Sequence, residues 1–112
     1  MWIRRFALAL IDKLSAMNRE QTLRLLTQHK SALADRFGVS KLALFGSMAR
    51  DTATQHSDVD VLVSFDGPAT SERYFGVQFY LEDILGCPVD LVTDKALRKE
   101  LRPFVEREAL NV

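Results

Sequence analysis

Leu44-Phe45-Gly46-Ser47-Met48-Ala49-Arg50, followed by Ser57-Asp58-Val59-Asp60-Val61-Leu62-Val63, is the part of this chain that decides its fold. Lys41-Leu42-Ala43-Leu44-Phe45 is a short apolar run stopped by Gly46, which predicts a largely buried strand. A short helical piece is expected from Ser47 to about Asp51, then a polar loop from Thr52 to Ser57. The run Val59 to Phe65 returns as a second strand. Asp58 and Asp60 stand two apart at its start, where the two-residue side-chain period turns both carboxylates to one face, roughly 6 to 7 Å apart.

Towards the N-terminus, Asn18 followed by Gln21 is a helix-start signal. Leu23, Leu25, Leu26, Leu33 and Phe37 then recur at helical spacing until Gly38 offers a stop. Further back, Trp2, Ile3, Phe6, Leu10, Ile11 and Leu14 recur at steps of three and four, which predicts an N-terminal helical extension over residues 1–16. Met17 is an alternative initiator. The opening run is interrupted by Asp12 and Lys13 and is too short to span a bilayer. Towards the C-terminus, Asp66-Gly67-Pro68 marks a turn and Ser71 opens an amphipathic helix carrying Tyr74, Phe75, Val77, Phe79, Leu81, Ile84 and Leu85, closed by Gly86. Pro88-Val89-Asp90-Leu91-Val92 is short and β-prone, and from Lys95 one or two helical turns lead into a helix interrupted near Pro103.

Composition narrows the function classes. A chain of 112 residues has room for one domain, and 47% hydrophobic with 27% charged residues is ordinary for a globular protein, which argues against disorder and against a membrane protein. Lys plus Arg and Asp plus Glu each number 15, so no global positive field exists to hold a long nucleic acid. A small phosphorylated substrate is not disfavoured in the same way. Cys87 is the single cysteine, which rules out an internal disulfide and suits a reducing, cytoplasmic compartment. His29 and His56 lack the spacing of a zinc pair.

Asp60 lies inside the apolar run Val59 to Val63 and Asp90 inside Val89 to Val92, where an unpaired buried carboxylate is costly. A divalent cation would offset that cost, as would a salt bridge to Arg50 or a lysine, and the acids alone leave the two accounts level. Gly46 can take strained turn angles and let a phosphate approach backbone amides, with Ser47 donating its hydroxyl at a helix start. For an isolated Gly-Ser pair, however, an ordinary N-cap is the commoner explanation. Arg50, one helical turn after Ser47, can reach the same phosphate or stand as a solvated charge.

Taken jointly, Leu44 to Arg50, Ser57 to Val63 and Val89-Asp90-Leu91-Val92 resemble the nucleotidyltransferase signature of the DNA polymerase beta superfamily. The short length further resembles the minimal nucleotidyltransferases (MNT), which are usually encoded beside a HEPN-domain partner as a toxin and antitoxin pair. The resemblance runs from about Met17 to Val112 and implies one nucleotidyltransferase domain over residues 17–112. The implied fold is α/β (α+β), with a small mixed three-stranded sheet from the Leu42, Val61 and Val89 regions, helices mainly on one side and the acids on the other. Gly46, Ser47, Arg50 and Ser57 are implied to bind the nucleotide, with Gly46 and Ser47 at the triphosphate. Asp58, Asp60 and Asp90 are implied to hold Mg2+, with Asp90 also the general base.

The implied reaction moves AMP from ATP to a tyrosine hydroxyl of a HEPN toxin. The alternative is an antitoxin that neutralises its toxin by binding alone. One departure is visible at Asp51, where many members have glycine. A domain this small leads us to expect that the partner protein presents the hydroxyl, against either the aromatic residues near Tyr74 or the basic run Lys95 to Arg102, although aromatics at helical spacing more often face the core.

Overall fold

A computed structural model describes residues 18–53 and 58–112. The expected extension over residues 1–16, Met17, His56 and the candidate nucleotide contact Ser57 lie outside the described residues.

Helix α1 spans Arg19–Phe37 and begins where the sequence signals it. The Asn18 side chain accepts from the Gln21 backbone N–H at 2.8 Å while the Gln21 side chain accepts from the Asn18 N–H at 3.1 Å, so two of the orphan donors of the first turn are satisfied reciprocally. Strand β1 (Val39–Phe45) follows directly and runs into α2, a four-residue helix at Gly46–Ala49. Strand β2 is Val59–Phe65, helix α3 is Ser71–Leu85 and strand β3 is Val89–Thr93. A 3-10 turn at Asp94–Ala96 leads to α4 (Arg102–Glu108) and to a final strand β4 (Leu110–Asn111). No helix among the described residues is long and apolar enough to cross a membrane.

The sheet order is β3-β2-β1-β4, with β2 and β3 parallel and the other pairs antiparallel. Three strands are expected from the sequence, and the described residues form four. The extra one, β4, pairs only Leu110 and Asn111 with Leu44 and Ala43, and two residues are too few for any alternation to show in a sequence. Alternation elsewhere sorts the two faces, with Ala43, buried although it has the acids' parity, as an exception. Leu42, Leu44, Val59, Val61, Val63, Val89 and Leu91 are buried on one face, where α1 and α3 cover them with Leu26, Leu33, Val77, Leu81 and Leu85. Phe45, Asp60, Leu62, Asp90 and Val92 belong to the other parity and are only partly buried or exposed.

β3 is an edge strand, and α3 holds it by a polar stripe spaced at four residues. Tyr74 Oη donates to the Leu91 carbonyl at 2.6 Å, Gln78 Nε2 to the Val89 carbonyl at 3.2 Å, and Glu82 Oε2 accepts from the Val89 N–H at 3.1 Å. Edge backbone groups that would otherwise face solvent are thereby paired, and the register of β3 against β2 is pinned. Gly76 sits on the same helix where a Cβ would lie 2.4 Å from the Phe37 ring, so the absence of a side chain lets α1 and α3 close on each other.

After α2 the chain turns through Arg50 and Asp51, with Thr52 N–H donating to the Ser47 carbonyl at 2.9 Å. Asp51 has φ 62, so the departure from glycine noted at this position falls on a left-handed residue. Side chains with a Cβ pay about 1–2 kcal/mol there, with Asp and Asn the better tolerated. Asp51→Gly should therefore hold or raise the melting temperature, whereas Asp51→Val should lose about 1–2 kcal/mol in a urea titration; a Val variant as stable as the parent chain would show that the turn has another conformation.

Candidate active site

The parallel ladder sets Asp60 opposite Asp90, and the antiparallel ladder sets Phe45 opposite Asp60, so one row crosses three strands and ends at the α2 turn. Directly opposed residues in a ladder share a face. Gly46 closes this corner. Its φ is 74, and a Cβ built there would lie 2.1 Å from Asp60 Oδ2, so the Asp60 carboxylate packs against the bare backbone of the turn. Any larger residue at position 46 would have to expel it.

Electrostatics register the same crowding. The Asp60 carboxyl is pushed up from 3.8 to about 6, first by its burial, then by the negative charges of Asp90 and Asp58, and by a hydrogen bond that Asp90 offers the protonated form; the Arg50 charge pulls the other way. Asp60 is thus the focus of three carboxylates, partly buried, while Asp58 and Asp90 are exposed. The structure brings Asp60, Asp90 and Gly46 together, with Asp58 near enough for its charge to act on Asp60.

Ser47 lies inside α2. The N-cap position belongs to Phe45 and carries no side-chain cap bond, so the ordinary N-cap role for Ser47 does not apply. Arg50 has a partner that sequence reasoning missed: its Nη1 donates to both carboxylate oxygens of Glu108, at 2.9 and 3.0 Å, across 58 residues. No local signal could have revealed that pair. The stripe of Tyr74, Gln78 and Glu82 was missed as well, because Tyr74 was read there as one of the aromatics of an apolar helix. It fixes the strand that carries Asp90.

Of the two surfaces considered for an acceptor, the aromatic one is on α3, which covers the opposite face of the sheet from the acids. There Tyr74 is tied to Leu91, while Phe75 and Phe79 stack on each other with ring centroids 6.2 Å apart and remain exposed. His29 is likewise engaged on that side, at 2.6 Å from Tyr80 Oη. The C-terminal segment is on the site's own flank, since Glu108 of α4 reaches Arg50.

The donor chemistry suits a hard divalent cation. Magnesium commonly takes one or two protein carboxylates and completes its shell with water and phosphate oxygens, and Asp60 and Asp90 supply such a pair. Among the described residues no group of three His, Cys, Asp or Glu side chains forms a ready cage, so a full shell needs oxygens from a nucleotide or solvent.

Known proteins resemble this chain in sequence and in fold. Residues 26–111 match the family model described as nucleotidyltransferase domain. A protein adenylyltransferase MntA of Thermococcus cleftensis is 36% identical over 99 residues, covering 88% of this chain and 100% of the relative. A solved structure of a candidate minimal nucleotidyltransferase superposes with TM-score 0.75 at 37% identity, over 88% of this chain and 99% of the other. The fold also matches a chain from the complex of a tri-AMPylated Shewanella oneidensis HEPN toxin with its MNT antitoxin, with TM-score 0.60 at 19% identity over 80% and 70% of the two chains.

The raised Asp60 value has a definite sign for stability. Between about 3.8 and about 6 the folded chain holds more protons at this carboxyl than the unfolded chain does, so the unfolding free energy falls as pH rises through that window. Without divalent cations, Asp60→Asn should therefore stabilise the chain at pH 7, by of the order of 1 kcal/mol once solvent screening of a partly exposed carboxyl is allowed for. The gain should vanish towards pH 4. Differential scanning calorimetry of both chains across pH 4 to 7 measures it, and a pH-independent difference would mean that Asp60 is not crowded.

Proposed function

Because the chain belongs to the nucleotidyltransferase domain family, we propose that it is a magnesium-dependent enzyme that moves AMP from ATP to a hydroxyl of a HEPN-domain partner, acting in the cytoplasm as the antitoxin of a toxin and antitoxin pair. The transferase domain is residues 17–112, with residues 1–16 as an extension to it. The observation that carries this is the register of Asp60 on Asp90 beside the bare Gly46 backbone, which gathers negative oxygens where a triphosphate would otherwise be repelled. Such an arrangement makes sense when cations and phosphates bind together.

On this proposal Asp58, Asp60 and Asp90 would hold magnesium ions, whose positive charge would offset that of the phosphates. Gly46 and Ser47 receive the triphosphate, the turn at Gly46 leaving room for phosphate oxygens, and Arg50 and Ser57 complete the nucleotide contacts. The partner's hydroxyl attacks the α-phosphorus in line, the bond to the bridging oxygen breaks, and pyrophosphate leaves while Asp90 takes the hydroxyl proton. Positioning supplies most of the rate. The names of the MntA relative, an adenylyltransferase, and of the MNT antitoxin bound to an AMPylated toxin support AMP as the group moved and a HEPN protein as its acceptor.

Radiolabelled ATP, magnesium and the HEPN partner form the test. The unaltered chain should label the partner, Asp60→Asn should abolish labelling, and Asp90→Asn should cut the rate by roughly 10²–10⁴ while nucleotide binding survives. Undiminished labelling by Asp60→Asn would refute the site. Full cell protection by an Asp58→Ala, Asp60→Ala double variant would instead favour an antitoxin that works by occlusion.

A further inference from the structure

Glu108 stands far from the acids in sequence, and the transfer chemistry above makes no use of it. It nevertheless grips an arginine at the turn, Arg50. Arg50 follows Gly46 by one helical turn, its N–H donating to the Gly46 carbonyl at 3.1 Å, and Gly46 in turn abuts Asp60. A guanidinium carries five N–H donors in a rigid fork. Glu108 engages Nη1 alone, through both carboxylate oxygens, so the other N–H donors of the fork are not used in this pair.

The body that carries Glu108 is itself anchored at both ends. Arg102 at the start of α4 donates from Nη1 to Asp94 Oδ1 and from Nη2 to the Asp94 carbonyl, each at 2.8 Å, which ties α4 to the end of β3. Immediately after Glu108 the chain becomes β4 and pairs with β1, the strand that leads into the turn. Segment 94–111 thus runs from one edge of the sheet to the other and delivers a carboxylate to the turn. Half of the Arg50 side chain stays exposed in this pair and a third of Glu108, which leaves the guanidinium accessible to a ligand.

We propose that Glu108 is a positioning residue of the nucleotide site: it holds the Arg50 guanidinium over the Gly46-Ser47 turn with one edge directed to the phosphates of a bound nucleoside triphosphate. The inference rests on the turn being the triphosphate site. An arginine left to itself at an exposed turn samples many rotamers, and each must be given up when a phosphate binds. A carboxylate that has already fixed the side chain removes that loss at binding. The adverse effect of the extra negative charge is small by comparison, since Glu108 is neutralised by the arginine it holds.

The test is a double-mutant cycle on the full chain, read by the dissociation constant of a fluorescent ATP analogue with magnesium and by melting temperature. Arg50→Ala should weaken binding about tenfold and Glu108→Ala about fivefold, while the double variant should bind no more weakly than Arg50→Ala alone. Glu108→Gln, which keeps the shape and loses the charge, should fall between the parent chain and Glu108→Ala, and it stands in should the Ala variant fail to fold. Unchanged or tighter binding in both Glu108 variants, or additive losses in the double variant, would overturn the proposal. A purely structural role would lower the melting temperature and leave the constant alone. If the unaltered chain binds no ATP analogue, the nucleotide-site assignment itself fails, and this one with it.

Discussion

Two carboxylates forced side by side by a parallel ladder repel each other, and the surroundings of Asp60 and Asp90 follow from that repulsion. The β2–β3 register leaves them no choice of distance, because each is one rung of the same pairing. A slip of one residue would separate them, but it would also turn Val59, Val61 and Val63 out of the core, where all three are fully buried. The hydrophobic face therefore enforces an arrangement that the polar face opposes. Conflict of this kind, maintained by good packing elsewhere, is what is expected where a protein gives up stability for function.

The remaining parts of the site moderate that conflict without abolishing it. Gly46 makes space for the Asp60 carboxylate against backbone, and Arg50 supplies a positive charge that partly offsets the crowding. Arg50 is not buried against the acids as a structural counter-ion would be. Half exposed and held from behind by Glu108, it can serve a ligand arriving from solvent. A bound triphosphate with its cations would bring the positive charge that the acids lack and phosphate oxygens for the donors of Arg50 that Glu108 does not use.

Most of the framework was legible in the sequence because it depends on local rules. The Asn18–Gln21 box, the stops at Gly38 and Gly86, and the alternation of Val59, Val61 and Val63 each act within a few residues, and each is present as expected. The convergence of the three acids was legible only through the resemblance of the combined motifs, since spacing alone could not choose between a cation and a salt bridge. What was not legible depends on contacts between distant segments. β4 has two residues and no pattern, Glu108 meets Arg50 only after the chain has crossed the sheet, and Tyr74 was weighed as an aromatic when its hydroxyl is what the fold uses. The φ of Asp51 marks the place among the described residues where the local rule was broken and the chain accepted the strain.

The stripe of Tyr74, Gln78 and Glu82 has a consequence for association. Strand addition is a common way for one protein to recruit another, and it requires a row of vacant donors and acceptors along a sheet margin. On β3 the outward groups of Val89 and the Leu91 carbonyl are already taken by side chains from the helix above. Those groups are not free for templated pairing with a second polypeptide, so a companion protein meeting this stretch of β3 would do so through side chains, leaving the strand that bears Asp90 undisturbed.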